Sequence, residues 1–449
     1  MTETLSALQH ALSTGRTTSE ALTEAALARG GTGEGPRVFT RLYGERALAA
    51  ARASDLMRKA GFVRSPLEGL PISIKDLFDV AGETTKAGSV ALDDAPAATA
   101  NAPIVDRLLA AGAVLVGRTN MTEFAFSGLG INPHYGTPLN PFDRAGARIP
   151  GGSSSGAAVS VTDGMAAAAI GTDTGGSVRI PAALCGIAGF KPTARRVPRE
   201  GCVPLSTSLD SIGPLAPSLA CCALLDAVLS GSGESVPAPA ELAGLRLAVP
   251  TTLALDGLDN TVAASFRRAL DTLLRAGAHI SEIAVPEFAT LGSLQAKGSF
   301  AGAEAWHWHR ALIAKAGDRY DPRVLVRIQR GAEMTLADYL DLVAARKAWI
   351  AAVEARIAGF DALAMPTVPV IAPRIADLAE EAAYGATNLL ILRNPTLINF
   401  LDGCAASLPC HRQGEAPVGL MVAGAGGQDR RILTIGQAIE AALAPSRAA

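Results

Sequence analysis

Aromatic residues are scarce in this chain, 4% of 449 positions, with only three tryptophans and five tyrosines. Charge is sparse as well, at 18%, and 40 Lys and Arg against 42 Asp and Glu leave a net charge of −2. Without a basic field nothing holds a nucleic-acid backbone, and without a polybasic run nothing grips a membrane surface. Long apolar runs are missing too. Segments such as Met165–Ile170 fall far short of the roughly 20 residues that a membrane-spanning helix needs. The first residues, MTETLSALQHALSTGRT, show an amphipathic helical pattern and lack the charged-then-apolar layout of a secretory signal. A soluble, cytoplasmic protein is expected.

The six cysteines (Cys185, Cys202, Cys221, Cys222, Cys404 and Cys410) have no ligand-type spacing. Cys221-Cys222 lies in an apolar helical run, so buried free thiols are expected rather than a disulfide framework. The six histidines form no HxxxH-like pattern. His307 and His309 alternate with Trp306 and Trp308, which reads as aromatic packing near a cleft rather than as a metal site. No metal, nucleotide or flavin signature is present, and no cofactor is expected.

Gly and Ala take the place of the missing aromatics, within a hydrophobic content of 49%. That supplies a large core of closely approached helices and strands. Helical patterns cover much of 2–60: Leu5, Leu8 and Leu12, then Ala21–Ala28, then Arg46–Lys59 after a break at Thr40–Gly44. Leu70–Ile74 reads as a strand with Lys75 at its end, Ile104–Ala111 as a helix and Ala113–Arg118 as a strand. Gly186–Pro192 gives another strand, and the proline-pinned loop Arg196–Pro214 is suited to wall a cleft. Beyond the polar, proline-rich 232–242 come a strand at Gly244–Pro250 and a helix at Thr261–Gly277. Residues 287–358 are mostly helical, 359–449 hold two core strands (from Asp361 and from Pro417), and Arg430–Ala442 forms the last helix. No repeat or linker divides the chain. The alternation predicts one α/β domain, with a central mixed, mostly parallel twisted sheet covered by helices on both faces.

Chemistry concentrates between Gly151 and Ala182, GGSSSGAAVSVTDGMAAAAIGTDTGGSVRIPA. Two Gly- and Ser-rich loops flank the apolar segment Met165–Ile170, and each runs into a plausible helix start, at Gly156–Ala158 and Val178–Ala183. Backbone N–H groups at such a junction favour negative charge above them, which gives Ser177 an oxyanion site made from its own neighbours. Asp173 reads as a buried acid. Lys75, following a buried strand and preceding Leu77 and Phe78, is expected to point into a partly apolar site.

The runs Gly151-Gly-Ser-Ser-Ser-Gly156 and Gly171-Thr-Asp-Thr-Gly-Gly-Ser-Val-Arg-Ile-Pro-Ala182 resemble the signature of the amidase signature family of serine hydrolases. The 24-residue step from Ser153 to Ser177 is also the family's, although Thr162 stands where a smaller residue is usual. The resemblance covers most of the chain. It implies Ser177 as nucleophile, Ser153 as bridging serine behind a cis peptide bond, and Lys75 as general base. It further implies an oxyanion hole from the N–H groups of Thr174, Gly175, Gly176 and Ser177.

The implied activity is hydrolysis of a small-molecule amide to acid and ammonia or amine. Segment 67–220 would be the catalytic core and 287–358 would shape the pocket. The alternative is the glutamine-hydrolysing member of a tRNA-dependent amidotransferase complex, which requires partner subunits; a homodimer is left open. Ile180, apolar where some relatives carry Arg, argues against a dicarboxylic monoamide and for a neutral or modestly apolar acyl group. Arg327 lies roughly where amidotransferases of that kind hold the glutamine carboxylate. A rival pattern overlaps the first loop: Gly152-Ser-Ser-Ser-Gly156 also satisfies G-x-S-x-G, which would make Ser154 the nucleophile. It then requires a histidine from His279, His307, His309 or His411, none in a recognisable context.

Overall fold

The computed structural model describes residues 3–448; residues 1, 2 and 449, which fall within the segments delimited above, lie outside the described residues. Among the described residues eleven strands run in chain order as β1 (Phe39–Leu42), β2 (Pro71–Lys75), β3 (Val114–Thr119), β4 (Ala168–Asp173), β5 (Ala188–Lys191) and β6 (Ser211–Ala216). They continue as β7 (Arg246–Pro250), β8 (His279–Ile283), β9 (Ala362–Pro366), β10 (Cys404–Pro409) and β11 (Gly419–Gly424). All join one sheet in the order β1-β3-β2-β4-β6-β5-β10-β11-β9-β7-β8.

The α/β class and the mixed central sheet are as expected. The prevalence of parallel pairing is not. Four pairings are parallel (β2 with β3 and β4, β7 with β8 and β9) and the remaining six are antiparallel. Crossover helices make the parallel blocks: Pro103–Ala110 between β2 and β3, and Asn260–Arg275 between β7 and β8. The antiparallel middle contains the β10–β11 hairpin, whose short connection leaves no room for a crossover.

Both faces of the sheet are covered. Ala168 and Ile170 of β4 enter one core while Ala169 enters another, and Met421 and Ala423 of β11 face away from Leu420 and Val422. Strands buried on two faces show no alternation of polar and apolar residues. Here small residues let helices approach: a Cβ on Gly189 would stand 2.7 Å from Ala182 Cβ, and one on Gly419 2.6 Å from Ala183 Cβ. The Arg179–Cys185 helix is thereby seated against β5 and β11, which sets the position of the loop before it.

Strand and helix locations largely follow the expectations, with five exceptions. β1 (Phe39–Leu42) overlaps the expected break at Thr40–Gly44, the end of the Arg196–Pro214 loop is β6, and β8, β10 and the Glu381–Phe400 helix had no sequence signal. The six cysteines are free thiols, Cys202 half-buried and the others buried. His309 is buried and packs edge-on against Phe124 at 4.4 Å, with Nδ1 2.9 Å from the Tyr320 hydroxyl. Burial pushes its pKa down to about 3. His307, two positions away on the same helix, is exposed, so the two rings do not converge. Among the described residues no group of three His, Cys, Asp or Glu could hold a metal ion, and no helix is long and apolar enough to cross a membrane.

Candidate active site

β2 and β4 are parallel neighbours, so their carboxyl ends open at the same edge of the sheet. Lys75 is the last residue of β2, and the loop Thr174–Val178 follows β4 directly. Lys75 is fully buried. Its Nζ is in hydrogen-bond contact with Ser153 Oγ at 2.7 Å and with Thr172 Oγ1 at 2.8 Å. Burial pushes the amine down to about 7, against the opposing pull of Cys202, Asp210 and Asp173. Ser153 follows a cis peptide bond from Gly152. The next residue, Ser154, donates its N–H to the Ser177 carbonyl at 3.2 Å, which brings the two serine loops side by side. Lys75, Ser153 and Ser177 thus share one end of the sheet.

The loop carrying Ser177 is held by a buried ion pair. Asp173 accepts the N–H of Gly176 at 2.8 Å, that of Val178 at 3.2 Å and that of Arg179 at 3.3 Å. The Arg179 guanidinium meets it with Nη2–Oδ1 at 2.9 Å and Nε–Oδ2 at 3.0 Å, and Asn399 Nδ2 donates to the same carboxylate at 2.9 Å. Burial alone would raise the Asp173 pKa. Arg179, assisted by Lys191 and Asn399, overcomes that and holds the carboxyl well below the usual range. Asp173 is therefore a fixed anion inside the core, with every contact a charge-assisted hydrogen bond.

This anchoring revises the expected oxyanion set. The Gly176 N–H is spent on Asp173, so it does not point at a substrate carbonyl. The N–H groups of Thr174, Gly175 and Ser177 have no hydrogen-bond acceptor among the described residues. Gly176 is required for shape: its φ is +125°, and a Cβ there would lie 2.5 Å from Pro395 Cβ and 2.6 Å from Ile180 Cδ1.

Ile180 is completely buried under this loop, in a cluster with Leu129, Ile149 and Leu184. It supports Gly176 from below. The side chains that do stand over the loop are Leu392 and Thr396, one turn apart on the Glu381–Phe400 helix. A Cβ on Gly175 would meet them at 3.4 and 3.3 Å. Arg327, on the Pro322–Gln329 helix, is half-buried. Its Nη1 donates to the Phe126 carbonyl at 3.3 Å, and its guanidinium lies 4.8 Å from the centre of the Tyr384 ring. Two residues on from Phe126, the Gly128 carbonyl accepts the Gly152 N–H at 2.8 Å, which links this corner to the cis bond. Arg323 stacks on the same ring but is paired with Asp321; Arg327 has no carboxylate in ion-pair range among the described residues.

Sequence reasoning missed Thr172, Leu392, Thr396 and Asp210. Thr172 had a signal, since it lies two residues before the loop on the strand beside Lys75. The other three come from distant segments. The rival elbow finds no support in the geometry: Ser154 Oγ donates to the Thr172 carbonyl at 3.3 Å, inside the core. None of the four histidines is within hydrogen-bonding distance of it; His411 Nδ1, for instance, accepts the Val418 N–H at 3.3 Å.

The model of a family described as Amidase matches residues 21–433. The chain is 37% identical over 410 residues to a 2-amino-5-chloromuconic acid deaminase of Comamonas testosteroni, covering 90% of this chain and 88% of that one. It is 35% identical over 473 residues to one of the glutamyl-tRNA(Gln) amidotransferase subunits of Chloroflexus aggregans, covering 97% and 96%. A crystal structure described as an amidase superposes with a TM-score of 0.89 at 34% identity, over 98% of this chain and 100% of that one. With the match spanning nearly the whole chain and the fold reproduced throughout, this protein belongs to the amidase family, as a hydrolase acting on amide C–N bonds.

Proposed function

We propose that amide hydrolysis proceeds through an acyl-enzyme on Ser177, with Ser153 and Lys75 as its proton relay. The observation that carries this reading is the Lys75 amine, buried, shifted toward neutrality and 2.7 Å from Ser153 Oγ. A neutral amine has two N–H bonds and one lone pair. With one N–H directed at Thr172, the lone pair is free to take a proton from Ser153. Ser177 Oγ then bonds to the amide carbon as its own proton passes to Ser153. The tetrahedral oxyanion accepts the N–H groups of Thr174, Gly175 and Ser177. The proton on Lys75 returns through Ser153 to the leaving nitrogen, the C–N bond breaks, and an ester remains on Ser177. Water repeats the sequence and releases the acid.

Leu392 beside Gly175 makes the wall next to the reacting carbon apolar, which favours a neutral acyl segment there. The unpaired Arg327 supports a carboxylate farther along the substrate, and one relative is named for an acid substrate. Purified chain assayed against an amide panel, with neutral amides and acid-bearing ones (glutamine, succinamic acid) of matched length, tests the reading. Hydroxylamine should intercept the ester as a hydroxamate. Arg327→Ala should raise KM about ten-fold more for acid-bearing amides than for neutral ones; equal effects on both would remove the carboxylate role. Glutamine hydrolysis that appears only with partner subunits would replace the free amidase by the glutamine-hydrolysing member of an amidotransferase complex.

A further inference from the structure

Asp210 lies outside the relay and outside the signature, yet it grips the loop that bears Ser177. β4 and β6 are antiparallel with Asp173 opposite Ser211, so Thr174 and Asp210 face each other just beyond the paired ends. Thr174 Oγ1 donates to Asp210 Oδ1 at 2.5 Å. The remaining acceptor positions of that carboxylate take the N–H of Leu205 at 3.0 Å and of Ser206 at 3.0 and 3.1 Å. The turn is stiffened from outside. Glu304 accepts the Ser206 hydroxyl at 2.6 Å, the Ser208 N–H at 3.0 Å and the Tyr339 hydroxyl at 2.6 Å. Arg199 Nη1 donates to the Thr207 and Asp210 carbonyls at 2.7 and 3.1 Å.

The stretch Thr174–Ser177 is thus suspended between two buried carboxylates, Asp173 at Gly176 and Asp210 at Thr174. We propose that Asp210 is a positioning residue, holding the Thr174 hydroxyl so that the Thr174 and Gly175 N–H groups are aimed at the substrate oxyanion. This rests on the Ser177 reading above. All three donors around Asp210 need an acceptor, and a carboxylate offers nothing else. An asparagine could keep its Oδ1 on the two N–H groups and donate its NH2 to the Thr174 hydroxyl, which also accepts, so an alanine, which leaves all three without a partner, is the variant that breaks the link.

The test uses the full chain and a fluorophosphonate, whose P=O occupies the oxyanion site as Ser177 Oγ bonds to phosphorus and fluoride leaves. Labelling is followed by intact mass, with the labelled residue located by peptide mapping. Thr174→Val keeps the shape of the side chain and removes the hydroxyl. It should lower the maximal labelling rate about 10- to 100-fold with little change in the half-saturating concentration, less than the full loss of an oxyanion donor. Asp210→Ala should do the same. The double variant should label no slower than the slower single, since both break one link. Thr174→Ser should recover most of what Thr174→Val loses. If Asp210→Ala does not fold, the Val and Ser variants still decide the matter. A Thr174→Val rate within two-fold of wild type, multiplicative losses in the double variant, or a change in half-saturation alone would overturn the role of Asp210 and leave the Ser177 reading intact. Labelling of the wild type anywhere but Ser177 would overturn both.

Discussion

Replacing Ser177 by alanine should reduce amide hydrolysis by on the order of 10⁴-fold or more and leave the fold unchanged. The loop is held by Asp173 and Arg179 rather than by the Ser177 hydroxyl. Far-UV circular dichroism and the melting temperature should therefore match the wild type. Hydroxamate formation in the presence of hydroxylamine should disappear with the hydrolysis. Ser154→Ala and His411→Ala form the comparison set, since neither side chain reaches the relay. Each should keep activity within about ten-fold of the wild type. Near-normal turnover in folded Ser177→Ala, or equal loss from Ser154→Ala, would contradict the assignment.

Lys75 should set the pH dependence. The amine is shifted down to about 7, mostly by burial, so the neutral base increases as pH rises through that value. The maximal rate should climb from about pH 6 to about pH 8 and then level off, rather than continue toward the ordinary lysine range near 10.4. The groups facing the amine are Ser153, Thr172, Cys202, Asp210 and Asp173. Among them the Asp210 carboxyl, pushed up to about 6 by burial, titrates close enough to add to the acid limb. Lys75→Ala should lose most of the rate. Lys75→Arg should fare no better, because a guanidinium keeps its proton at any working pH. An active Lys75→Arg enzyme would make Lys75 a fixed cation, and the proton relay would have to be redrawn.

The centre of the site was legible because its chemistry is local. Gly-rich turns, paired serines and a lysine after a short apolar run all fall within recognisable stretches. The surroundings of Ile180 were not legible, because burial beneath Gly176 depends on how Gly128, Gly151 and Leu392 converge. The Glu381–Phe400 helix, which supplies Leu392, Thr396 and Asn399, gave no sequence signal. It has Pro395 inside, a residue that normally ends a helix, and its buried face includes Asn388, Asn394 and Asn399. β10, Cys-Ala-Ala-Ser-Leu-Pro, is made of small residues buried on both faces, so it has neither alternation nor bulk to mark it. β8 is an edge strand with most of its residues at least partly exposed. The antiparallel middle of the sheet followed from these omissions: with β6 and β10 unseen, the visible strand–helix alternation suggested parallel pairing.

Burial of Lys75 also shapes how the fold withstands changes in acidity. In the unfolded chain this amine keeps its ordinary value of 10.5, while in the folded chain it lies near 7. Below about pH 7 both states are charged, and the native state bears the full cost of keeping an ammonium out of water. Between the two values the folded amine is neutral and the unfolded one still binds a proton, so stability rises with pH; above the upper value that cost is gone. The buried lysine thus makes mild alkali a stabilising condition until other groups intervene. Lys75→Met, an apolar chain of similar reach, should melt higher than wild type near pH 6 and lose this advantage toward about pH 10. The inactive variant would then be the hardier protein, and the difference between the two melting curves would measure the stability given up for a neutral base.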